Sequence, residues 1–193
     1  MKTYITADLK LFNDKQRDSL GYSSFAAMNN AIIKTWNSVV KPEDNVIVMG
    51  DVGDGNLEEM KEVISKLNGG RTATSKRLNE KFTKDEWKEI GFSHFWGVSM
   101  FNKMPDGREI LYVIKPVLVP SVYEKDYALL ITDSENPFEG MTKGIMMTAD
   151  AAKWSYYPLD TDDLLNTYER MKEWETMEDG LETRSDIKEE GEE

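Results

Sequence analysis

Two short apolar runs, each ending on an aspartate, constrain this chain more than any other feature. The first is Thr3-Tyr4-Ile5-Thr6-Ala7, closed by Asp8. The second is Asn45-Val46-Ile47-Val48-Met49, closed by Gly50-Asp51. Runs of this length bounded by turn residues read as buried strands. Between them, in residues Ser23–Val39, the apolar side chains Phe25, Met28, Ile32, Ile33, Trp36 and Val39 recur at helical spacing. That pattern predicts a helix with one face on a core. Strand, helix and strand in alternation point to an α/β fold.

The rest of the first half continues the alternation. Asn56 is placed to cap a helix reaching Leu67, which Gly69-Gly70 stops. Thr83-Lys84-Asp85-Glu86 has the T-x-x-E form of a capping box, and its helix ends at Gly91. The second half is strand-rich. Segments 94–101, 109–114, 127–132 and 144–149 read as strands, with Pro105-Asp106-Gly107 as one of the turns. Thr161 then caps a helix carrying Leu164, Tyr168, Met171 and Trp174 on one face. The pattern predicts two sheets packed together with helices outside.

Composition narrows the function. The 193 residues include no Cys and one His, at a net charge of -12. Without Cys there is neither a disulfide framework nor a thiolate metal site. One His excludes a centre built from several imidazoles. An acidic chain repels polyphosphate backbones, so broad nucleic-acid binding is not expected. No apolar stretch is long enough to span a membrane, and no leader pattern opens the chain. A cytoplasmic protein is the expectation. Residues 169–193 carry 11 acids against 4 bases, a charge of -7. One domain over residues 1–180 and an acidic, mobile tail over 181–193 are expected.

Ligands of α/β sheets gather beyond the carboxyl ends of strands. Asp8 and Asp51 occupy two such ends, followed by Lys10 and by Val52-Gly53-Asp54-Gly55. Two carboxylates there can begin a cation site, although Asp at a strand end also commonly forms a turn or a cap. His94, in Ser93-His94-Phe95-Trp96, reads as a surface or edge-strand residue. Trp154, Tyr156 and Tyr157 read either as core or as a recognition surface. Asp160, Asp162 and Asp163 read as acids at a helix N-terminus.

The order of these pieces resembles the calcineurin-like metallophosphoesterases, in particular their short bacterial and phage-type members. The resemblance runs from about Thr3 to Leu164. It is carried by the Y-I-T-A-D opening, by MNNAIIKTWNSVVKPEDNVIVMGD, and by LEEMKEVISKLNGG followed by EKFTKDEWKEIGF. It implies a sandwich of two mixed β-sheets flanked by helices, with a C-terminal helix. The family's motifs are D-x-H, G-D, G-N-H-D, a lone His and G-H-x-H. Here the first stands as Asp8-Leu9-Lys10 and the second as Gly50-Asp51. The third falls at Lys76-Arg77-Leu78-Asn79, with Leu78 in the place of the His that assists the leaving group. The fourth places Lys115 in the His position, and the fifth falls at Thr132-Asp133-Ser134 without either His.

The resemblance therefore implies vestigial metal-site positions at Asp8, Lys10, Asp51, Arg77 and Lys115. No catalytic residue, metal or other cofactor is expected. Leu78 cannot donate a proton, and Arg77 stays protonated. The cations have two readings. They neutralise Asp8 and Asp51, which would otherwise repel each other. Alternatively Lys10, Lys76, Arg77 and Lys115 form an anion-binding hollow for a phosphorylated ligand. The expected function is that of a pseudoenzyme acting by binding. It would inhibit a host protein or capture a nucleotide or other phosphorylated ligand, in the host cytoplasm if the chain is viral. One alternative is a structural or assembly component, such as a virion protein. Another is residual phosphoesterase activity, with Asp8, Asp51 and Asp54 around one Mg²⁺ or Mn²⁺.

Overall fold

In the computed structural model, residues 1–74, 81–95, 99–103, 109–113, 129–132, 145–164 and 166 are described. Met1–Thr161 forms one unit and Asp162–Glu193 a second, of which residues 162–164 and 166 are described and helical.

The first unit is α/β. Four strands of its larger sheet run parallel: β1 (Thr3–Ala7), β2 (Asn45–Met49), β3 (Gly70–Thr74) and β4 (His94–Phe95). A fifth, β9 (Leu159–Asp160), pairs antiparallel with β1, giving the order β4-β3-β2-β1-β9. A second sheet has the order β5-β6-β7-β8, from Ser99–Lys103, Glu109–Val113, Leu129–Thr132 and Ile145–Thr148. Its β5 and β6 are antiparallel, and the other pairs are parallel. The helices are α1 (Asp14–Ser19), α2 (Phe25–Val39), α3 (Leu57–Ile64) and α4 (Lys84–Ile90).

The apolar runs are continuous because both faces of β1 and β2 are covered. Tyr4, Val46 and Val48 point to the face packed with Met28, Ile32 and Trp36 of α2, Met60, Val63 and Ile64 of α3, and Trp87 and Ile90 of α4. Ile5, Ala7, Ile47 and Met49 point to the opposite face and are equally buried. Trp87 seats edge-on between Phe82 and Phe92, with ring centroids 5.1 and 5.5 Å away.

The helix boundaries follow their caps. The Ser24 hydroxyl accepts the Ala27 N–H, so α2 starts at Phe25 rather than at Ser23. Asn56 and Glu59 close a reciprocal capping box on α3, and Thr83 and Glu86 do the same on α4. Gly91 ends α4 in a left-handed conformation, φ 117°, where its N–H reaches the Trp87 and Lys88 carbonyls. Arg71 fixes that end by donating to the Gly91 carbonyl at 3.2 Å and the Leu67 carbonyl at 2.6 Å. The loop before β2 is pinned by Asp44, which accepts the backbone N–H groups of Lys2 and Lys41. Those bonds hold its carboxyl below the ordinary value.

Several expectations are corrected. The α3 helix stops at Ile64, and residues 65–67 form turns before Gly69-Gly70. The run 94–101 is not one strand, because its start joins the larger sheet as β4 and its end begins the second sheet as β5. Asp160 directly precedes the helical residues 161–164, as expected of an acid at a helix N-terminus, and it also ends a strand. It lies on β9, where its carboxylate accepts from Lys2 Nζ at 2.5 Å. The Thr161 hydroxyl donates to the Thr3 carbonyl, tying the end of the unit to β1. Pro105-Asp106-Gly107, Tyr168, Met171, Trp174 and the tail over 181–193 lie outside the described residues.

Candidate functional site

Parallel pairing in register, Ala7 opposite Met49, brings the chain out of β1 and β2 at the same edge of the sheet. The two exits then run side by side. The Asp8 N–H donates to the Met49 carbonyl at 3.0 Å, Lys10 to Asp51 at 3.1 Å, and Leu11 to Val52 at 3.0 Å. The Asp54 N–H returns a bond to the Leu11 carbonyl at 2.8 Å. This ladder is curled. Asp8, Lys10 and Phe12 all have left-handed backbones, with φ of 53, 50 and 58°. Each costs a residue bearing a Cβ roughly 1–2 kcal/mol relative to ordinary backbone. Glycine at 53 is required by closeness, because a Cβ there would collide with the Leu11 backbone oxygen.

The curl turns the Asp8 carboxylate back over the β2 exit. Its Oδ1 accepts the Asp51 N–H at 2.7 Å, and its Oδ2 lies 3.4 Å from Lys10 Nζ. Both side chains are partly open to water, Lys10 at 29% and Asp8 at 21%. At that spacing and exposure the ion pair itself is worth at most about 1 kcal/mol. Beyond it, Asn13 donates to Asp54 Oδ2 at 2.6 Å and also caps α1 through its Oδ1.

Two further charged residues reach this edge. Residues 149–151 line β1 on the side away from β2. The Ala7 N–H donates to the Ala149 carbonyl at 2.6 Å, and the Ala151 N–H donates to the Ala7 carbonyl at 2.7 Å. Asp150 thereby arrives beside the Asp8 backbone, at the end of the chain leaving β8. Lys81 Nζ donates to the Gly53 carbonyl at 3.4 Å. Sequence reasoning missed both. For Asp150 a signal existed: it is an Asp directly after a predicted strand, like Asp8 and Asp51. For Lys81 there was none, since only the folded chain brings it to Gly53.

The structure therefore brings Asp8, Lys10 and Asp51 together, as the strand ends predicted. Lys76, Arg77 and Lys115 lie outside the described residues, as do Leu78, Asn79 and Asp133. His94 is exposed on the edge strand β4, its Nδ1 3.0 Å from the Ser93 hydroxyl, in agreement with its sequence reading. The aromatic group divides. Tyr156 belongs to the core, while Trp154 and Tyr157 are exposed.

Chemically, the donor set does not suit a hard cation. Both Asp8 oxygens are engaged, one by an N–H and one by an ammonium group, and one Asp54 oxygen is taken by Asn13. No group of three acidic, His or Cys side chains among the described residues is disposed to hold a metal. Lys10 has three N–H donors and, among the described residues, pairs with one carboxylate oxygen at a loose 3.4 Å. Such an ammonium group can take an anion.

No family model and no curated protein matches the sequence. The fold is similar to the crystal structure of a protein of unknown function from Aquifex aeolicus, with a TM-score of 0.64 and 18% sequence identity. The match covers 86% of this chain and 98% of that one. At this identity the likeness concerns the fold alone.

Proposed function

We propose that this chain is a metallophosphoesterase-like protein that binds a phosphorylated ligand at the carboxyl edge of its larger sheet and does not cleave it. The observation that carries the reading is the Lys10 ammonium 3.4 Å from the Asp8 carboxylate, at the position where the resemblance expects a metal-binding His. The order strand-Asp, helix, strand-Gly-Asp, the parallel β1–β2 pair and the mixed sheets support the family part of the reading. A two-metal centre does not fit the residues present. Lys10 puts a fixed cation beside Asp8 where the resemblance expects a metal-binding His, so no reaction step is routed through a metal.

The binding part rests on charge. Lys10 and Lys81 reach the edge, and Lys76, Arg77 and Lys115 are the cations that the resemblance adds. Each charge-assisted hydrogen bond to phosphate is worth roughly 1.5–3 kcal/mol. A thermal-shift screen with nucleotides, sugar phosphates and inorganic phosphate tests this. At a hundredfold excess over its dissociation constant, a ligand specific for the folded state adds about 2.7 kcal/mol. For a chain of this size that raises the midpoint by roughly 5–10 °C. The shift is expected to vanish in the Lys10→Ala, Arg77→Ala double variant. No shift with any phosphate compound would leave Lys10 as a neutraliser of Asp8 and overturn the binding reading. Mn²⁺-dependent hydrolysis of a model phosphodiester that Asp51→Asn abolishes would restore an enzyme.

A further inference from the structure

Among the described residues the exposed aromatic side chains are Trp154 and Tyr157, at 38% and 48% exposure. They flank a turn that the fold holds in an unusual form. Ser155 and Tyr156 are consecutive left-handed residues, with φ of 51 and 64°, a conformation unfavourable for residues with a Cβ and rare for a bulky side chain. The turn is closed by its own backbone. The Tyr156 N–H donates to the Ala151 carbonyl at 2.7 Å, and the Tyr157 N–H to the Trp154 carbonyl at 3.0 Å. Tyr156 itself, 7% exposed, is sunk into the core and anchors the turn. Strained backbone persists where the surrounding structure over-determines it, and functional sites are where it gathers.

The turn's place matters as much as its form. Ala151 bonds directly to Ala7, the residue before Asp8. One step along β1, one across the ladder and one turn separate Asp8 from Trp154, about 15 Å at most between Cα atoms. A Lys side chain and a mononucleotide together span that gap. We propose that Trp154 and Tyr157 form a stacking platform for the nucleobase of a nucleotide whose phosphate is held at the Lys10 edge. This inference rests on the phosphate-binding reading and names its ligand class.

The chemistry favours a base over other planar groups. Aromatic side chains stack on any nucleobase, since each presents a π-face. A nucleobase carries a phosphate that the Lys10 ammonium can take, which an arginine from a protein partner lacks. A platform fixed by a core tyrosine also binds without paying to order itself.

Calorimetric titration of the full chain with AMP, ribose 5-phosphate and adenosine tests the platform. AMP is expected to bind at least tenfold more tightly than ribose 5-phosphate. The Trp154→Ala, Tyr157→Ala double variant is expected to lose that margin and leave ribose 5-phosphate binding unchanged. A Trp154→Phe, Tyr157→Phe variant, which retains two aromatic rings, is expected to keep most of it. Equal affinities for AMP and ribose 5-phosphate, or a margin that survives the alanine variant, would overturn the platform and leave the phosphate site standing. Adenosine binding that the alanine variant abolishes, with no ribose 5-phosphate binding, would keep the platform and overturn the phosphate site. Absence of binding by all three would remove both.

Discussion

Tyr156 holds the strained turn to the core, and its phenol reports on that burial. Burial pushes its pKa up to about 12 from an ordinary 10, with Asp150 and Tyr22 adding to the rise and Gln16 opposing it. The sign of the consequence follows from linkage. Below pH 10 both folded and unfolded chains keep the proton, and the stabilisation is whole. Between pH 10 and about 12 the unfolded chain releases it and the folded chain does not, so stability falls. The loss is on the order of 2 kcal/mol over that window. Urea denaturation from pH 9 to 12 is therefore expected to give a flatter profile for Tyr156→Phe than for the wild type, and equal slopes would contradict the burial. At this scale the sequence was informative where a polar residue interrupts an apolar run. Asp8, Lys10 and Asp51 stand out in that way. Tyr156 and its neighbours did not, because which of three nearby aromatics enters the core depends on a left-handed turn that no residue type announces.

Among the elements, the paired exits of β1 and β2 are the feature on which the site depends. Glycine at 53 lets them approach, and its missing Cβ leaves room for a backbone oxygen, which cannot move aside. Gly55 faces the Phe12 ring instead, 2.6 Å from where a Cβ would lie, and a side chain can rotate away. Gly53→Ala is accordingly expected to destabilise by about 1–3 kcal/mol, and Gly55→Ala by less. Urea midpoints of the two variants check the order, and a reversed order would show that the two exits are not tightly paired. The capped helices were legible in the sequence because a cap is a local device: Asn56 with Glu59 and Thr83 with Glu86 act within one turn. The division of 94–101 between two sheets was not, since both pieces are extended and only long-range pairing with β3 or β6 separates them. Helix α1 escaped for a different reason. It buries no side chain and so leaves no periodicity to read.

For the molecule as a whole, the alternation of strand and helix was enough to give the α/β class, while the mixed sheets were implied by the family resemblance alone. The charge distribution matters at this scale too. The net -12 includes -7 in residues 169–193, so the rest of the chain is only mildly acidic, and at this edge Lys10 and Lys81 stand among Asp8, Asp51, Asp54 and Asp150. Exposed charges of that kind are screened by salt, and anion binding there is expected to weaken as ionic strength rises. The central claim is that this edge takes phosphate through Lys10. Calorimetric titration of inorganic phosphate into the wild-type chain and into Lys10→Ala, at low salt and without divalent metal, tests it most directly. Saturable binding by the wild type that Lys10→Ala loses is the expected result, and no binding, or the same isotherm for both proteins, would contradict it.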